Sequence, residues 1–126
     1  MVFGCRHTAT PVIGGPAHRT AGDGGVLPAH EYVELPCLGS LDVLDVLRAL
    51  DGGAIAVLAV GCHEGRCRHL TGSQRAERVV GHVAGVLKEA GLDPGVVGLV
   101  LGSPLDGASI LRAVRAFAEG IRRTAP

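Results

Sequence analysis

The sequence predicts a single α/β domain: an open parallel sheet of about four strands with helices on both faces. Two observations predict it. Short apolar runs of strand length alternate with longer stretches of helical period. Those runs are built from Val, Leu, Ile and Ala, the composition of strands buried on both sides. The 126 residues are 47% hydrophobic, yet contain two Phe, one Tyr and no Trp. A core sufficient for one domain must therefore be assembled from small aliphatic side chains.

The elements follow in order. Met1–Gly4 is a short apolar start that reads as the first strand. Residues 6–30 are rich in Gly, Pro, His and Thr and read as irregular, with room for one short helix. Tyr32–Leu35 reads as the second strand, leading into Pro36-Cys37. Ser40 is a candidate N-cap, with Asp42 in the favourable first turn. Leu41, Leu44, Val46, Leu47 and Leu50 then form a helical stripe that Gly52-Gly53 ends. Ala54–Val60 reads as a buried third strand. Thr71 and Gln74 have capping-box spacing. They open a long helix carrying Ala76, Val79, Val80, Val83, Val86, Leu87 and Ala90, stopped by Gly91 and Pro94. Val96–Leu101 is the fourth strand. Ser103 or Asp106 caps a last helix bearing Ile110, Leu111, Val114, Phe117 and Ile121, whose negative end suits Arg122 and Arg123.

Strands joined by helices form parallel sheets of the flavodoxin/Rossmann-like class, and the order expected here is 2-1-3-4, as in flavodoxin-like sheets. No repeat or second domain is visible, so residues 1–126 read as one unit. Formal charge is zero, which argues against nucleic-acid binding through a basic surface. No apolar run reaches the length of a membrane helix. The chain shows no signal peptide, and the expectation is a cytoplasmic protein.

The chemistry lies in four cysteines: Cys5, Cys37, Cys62 and Cys67. In a reducing compartment such residues are more often ligands or redox groups than disulfides. In the expected strand order, Cys5, Cys37 and Cys62 end three adjacent strands about 4.8 Å apart. They would converge where the strand order reverses, the crevice in which open α/β sheets bind ligands. Cys67 can fold back as a fourth. Four thiolates suit zinc or an iron–sulfur cluster. A dispersed set on strand ends fits a 2Fe–2S cluster better than the paired spacing of structural zinc. Ordinary buried cysteines without any metal are the plain competing reading. No nucleophile elbow, phosphate loop or dinucleotide fingerprint is present.

The loop Gly61-Cys62-His63-Glu64-Gly65-Arg66-Cys67, followed by Gly72 and Arg75-Ala76-Glu77-Arg78, resembles the delta subunit of methyl-viologen-reducing hydrogenase. The pattern is sharp over about residues 58–80. Cys5 and Cys37 match the family's other cysteine positions. The resemblance implies a non-catalytic electron-transfer subunit with a 2Fe–2S cluster on Cys5, Cys37, Cys62 and Cys67. It also implies partners: a hydrogenase or formate dehydrogenase on one side and a heterodisulfide-reductase-like flavoprotein on the other. His63 lies between two candidate ligands, placed to tune the centre or to fix the loop. Glu77 and Arg78 are candidates for holding the loop against the helix. Arg66, Arg68, Arg75 and Arg78 form a cationic run that suits an acidic partner surface or a flavin phosphate, though such a run is more often a solvated face. One departure stands out. The family's Cys-x-x-Cys after the first strand here reads Cys5-Arg6-His7-Thr8, so that Thr8 replaces a cysteine. Four cysteines still suffice for one cluster; if the family's ligand set includes the position of Thr8, His7 is the substitute ligand, and a zinc-binding or metal-free interaction module of the same fold is the alternative.

Overall fold

The computed structural model describes residues 1–6, 8–13, 31–62 and 72–124. The strands are β1 (Val2–Cys5), β2 (Tyr32–Leu35), β3 (Val57–Cys62) and β4 (Val97–Gly102). The helices are α1 (Ala9–Ile13), α2 (Val43–Asp51), α3 (Gly72–Glu89) and α4 (Gly107–Thr124). Single 3₁₀ turns occupy Leu38–Ser40, Pro94–Val96 and Pro104–Asp106. The sheet has the order β2-β1-β3-β4 and every pairing is parallel, as the alternation of strand and helix predicts.

Each face has its own core. On one, Phe3, Val57 and Ala59 meet Val46 of α2 and Ala76, Val83 and Leu87 of α3. On the other, Val2, Leu58 and Val60 meet Ala9 and Ile13 of α1 and Ile110 and Val114 of α4. The alternation of β1 and β3 between these two clusters is the period-2 signature of a strand buried on both sides. Residues of β1 and β3 are buried throughout, while β2 and β4 form the edges.

Several local features differ from expectation, each for a physical reason. Ala9–Ile13 is a short helix of the kind for which the irregular stretch leaves room, though its position is not foreseen. Its Pro11 lies in the first turn, where a missing N–H removes no intrahelical bond, and five residues are too few to show a period. The second helix opens at Asp42 rather than Ser40, because Leu38–Ser40 is already a 3₁₀ turn. The Asp42 N–H donates to Asp45 Oδ2 at 3.0 Å, a reciprocal cap in which aspartate does the work of the usual glutamate. β3 begins three residues later than Ala54 because the Ala54 N–H bonds back to the Ala49 carbonyl at 3.0 Å, closing α2. Leu44 and Val86 fit the helical stripes by spacing but face solvent. Thr71 of the expected capping box lies outside the described residues.

The crossovers through α2 and α3 end as their glycines predict. Gly53 (φ +108°) and Gly91 (φ +78°) take the left-handed conformation after α2 and α3. Leu92 N–H reaches the Leu87 carbonyl at 2.8 Å, and Gly91 N–H reaches Lys88 at 3.1 Å. That double closure satisfies carbonyls the helix leaves open.

Candidate metal centre at the carboxyl ends of the central strands

The chain crosses from one side of β1 to the other between β2 and β3, so the sheet's switch point lies at the carboxyl ends of β1 and β3. Cys5 is the last residue of β1 and Cys62 the last of β3. Both are buried, and their Sγ atoms are 3.8 Å apart. This is far beyond a disulfide's S–S bond of about 2.05 Å. It does match two corners of a tetrahedral site. Metal–sulfur bonds of about 2.3 Å at a tetrahedral angle set two sulfurs about 3.8 Å apart. The donor chemistry and the spacing of this pair therefore fit two vertices of one thiolate-bound metal.

Small residues let the walls of the site close. A Cβ on Gly61 would meet Leu38 Cγ at 2.8 Å, and one on Gly102 would meet Ile110 Cδ1 at 3.0 Å. Gly102 is the register partner of Cys62. Leu38 and Ile110 thus press on the backbone beside the sulfur and leave it little access to water.

Thr8 completes the cluster. It is 1% exposed, the one buried polar residue among those described. Its backbone N–H donates to Cys5 Sγ at 3.3 Å, and its Oγ1 lies 2.9 Å from Cys62 Sγ. One residue therefore contacts both sulfurs. Sequence reading treats Thr8 only as a missing cysteine. No local signal finds it, because the partner of its hydroxyl lies 54 positions away.

Cys37 lies two residues beyond β2 and is buried in the same core cluster as Cys5 and Cys62. Its Sγ accepts the Gly39 N–H at 3.3 Å, at the start of the 3₁₀ turn. Among the described residues, no group of three or more Cys, His, Asp or Glu side chains is arranged to hold a metal ion. Cys67, His63 and His7, with the arginines at 66 and 68, lie outside the described residues. Glu77 and Arg78 sit on α3 with exposed side chains, as does Arg75. Near the site, Arg6 and Glu34 pair at 3.5 Å on the surface, a contact of small energetic weight. No described helix is long and apolar enough to cross a membrane.

Several known proteins resemble this chain. The vhu iron–sulfur subunit of the F420-non-reducing hydrogenase from Methanocaldococcus jannaschii is 31% identical over 94 residues, spanning 75% of this chain and 70% of that protein. The corresponding iron–sulfur subunit of the Archaeoglobus profundus F420-non-reducing hydrogenase is 30% identical over 99 residues, or 79% and 72%. One subunit of the ferredoxin/F420H2-dependent CoB–CoM heterodisulfide reductase from Methanosarcina acetivorans is 31% identical over 81 residues, 64% of this chain but 10% of that much longer protein. A family model described as methyl-viologen-reducing hydrogenase, delta subunit, matches residues 1–124, and with that match this chain belongs to the delta-subunit family.

Proposed function

We propose that this chain is an electron-transfer subunit that holds a 2Fe–2S cluster through Cys5, Cys37, Cys62 and Cys67. The observation that carries the reading is the buried Cys5–Cys62 pair, 3.8 Å apart at the switch point of the sheet. Such a cluster supplies one-electron transfer when bound. The chain's own residues hold the sulfurs and exclude water from them. The printed names of its relatives, iron–sulfur subunits of hydrogenases, support the same chemistry. The likeness to part of a heterodisulfide reductase supports a partner of that kind. In this reading the chain stands in the cytoplasm between a hydrogen- or formate-oxidising enzyme and a heterodisulfide-reductase-like flavoprotein. The protein has no substrate of its own in this reading.

The test is anaerobic purification followed by iron and sulfide analysis with visible absorption. The expected result is about two irons and two sulfides per chain, with colour that bleaches on reduction. Colourless protein with one zinc per chain would replace the reading with a zinc-binding interaction module. Protein that takes up neither, even after anaerobic reconstitution, would leave a metal-free module of the same fold.

A further inference from the structure

We infer that Thr8 is a positioning residue for the sulfur pair, setting both its metal affinity and the reduction potential of a centre bound there. This rests on the metal-binding reading above and goes beyond it, because Thr8 is assigned a role without being a ligand.

The placement of Thr8 comes first. The residue is almost completely buried, where a hydroxyl without a partner carries a desolvation penalty. The hydroxyl is instead 2.9 Å from Cys62 Sγ. The backbone N–H of the same residue is 3.3 Å from Cys5 Sγ. Both contacts reach sulfurs that stand 3.8 Å from each other. A single rigid unit, three residues after Cys5 and at the entry to α1, therefore clamps two residues that are 57 positions apart.

Chemistry then fixes the direction of these bonds. A metal-bound cysteine is a thiolate and has no hydrogen to give. With Cys62 in that state, the hydroxyl must be the donor. The backbone amide is a donor in any state. Two donors aimed at two thiolates withdraw electron density from sulfur. They stabilise the more electron-rich, reduced form of a bound centre and so raise its potential. They also hold the pair at ligand spacing before metal arrives, which lowers the ordering cost of binding.

The pair of variants that isolates the hydroxyl is Thr8→Val, which keeps the shape, and Thr8→Ser, which keeps the donor. The first probe is cobalt(II) added to reduced, metal-free full-length protein under anaerobic conditions. Wild type is expected to develop a sulfur-to-cobalt charge-transfer band. Thr8→Val is expected to bind cobalt about tenfold or more weakly, and Thr8→Ser to bind as wild type does. The second probe is the midpoint potential of the iron-reconstituted protein, expected to fall in Thr8→Val and to recover in Thr8→Ser. A merely structural threonine would lower thermal stability in Thr8→Val without moving the band position or the potential, and that result overturns the inference. A wild type that binds cobalt identically to Thr8→Val overturns it as well, while leaving the metal-binding reading intact. A wild type with no cobalt band overturns both.

Discussion

Tyr32 joins a side chain's titration to its packing. Its phenol lies 2.7 Å from Thr10 Oγ1 and sits over Gly4, where a Cβ would collide with Tyr32 Oη and with Ala9 Cβ. Burial pushes the phenol up to about 12, against a smaller opposing effect of the Thr10 hydrogen bond. The folded state therefore keeps the proton longer than the unfolded state, whose phenol ionises near its ordinary value of 10. Stability from this group is whole below pH 10 and is lost as pH rises from 10 towards 12. Tyr32 is the only tyrosine and there is no tryptophan, so phenolate absorbance reads this residue alone. An alkaline titration of the folded chain should give a midpoint well above 10, and Tyr32→Phe should flatten the alkaline loss of stability. A phenolate midpoint at the ordinary value would contradict the packing described. At this scale sequence reasoning expects Cys5, Cys37 and Cys62 to converge: Cys5 and Cys62 do, whereas the Cys37 sulfur accepts the Gly39 N–H and joins no group of three among the described residues. The role of Thr8 is not legible there, because hydrogen bonding to a residue 54 positions away depends on the fold rather than on any local pattern.

Among the elements, the helix ends are the most legible and the start of β3 the least. Gly53 and Gly91 announce helix stops because only glycine takes a left-handed conformation cheaply. At Gly91 a Cβ would meet nothing within 4 Å, so Gly91→Ala isolates the backbone cost. It should lower unfolding stability by about 1–2 kcal/mol, read by urea denaturation, with Gly91→Asn losing less. Equal stability of Gly91→Ala and wild type would refute the left-handed cap. The start of β3 is misread for a related reason. Ala54 and Ile55 look like strand residues by composition, yet the closure of α2 claims the Ala54 N–H, and Ile55 is 72% exposed. Composition cannot register which neighbour takes an amide. Nor does spacing alone separate a core stripe from its rim, which is why Leu44 and Val86 read as core residues and are not.

The parallel sheet follows from alternation of strand and helix, and the order β2-β1-β3-β4 is the flavodoxin-like order expected for such a chain. Two central strands buried on both faces, and glycine at the points of close approach, carry the packing. What alternation does not reveal is how far a thiol beyond a strand end travels. Cys37 leaves β2 and enters a 3₁₀ turn, its sulfur taken up by Gly39 N–H. Binding of metal to the folded chain alone must raise global stability by mass action. At free cobalt or zinc about one hundredfold above the dissociation constant, the gain should be about 2.7 kcal/mol. Thermal unfolding with and without metal checks this. Cys62→Ser should abolish the shift, and a shift that survives in that variant would locate the metal elsewhere.

The distance along the chain between Cys5 and Cys62 reaches into biosynthesis. β1 finds β3 only after the intervening β2 and α2 have been made, a pairing of high sequence separation and therefore slow to form. A nascent chain that has released only β1 and β2 presents Cys5 without its partner sulfur. The thiols thus become a pair late, only on chains whose central strands have already docked, and an incomplete chain shows its two sulfurs separately.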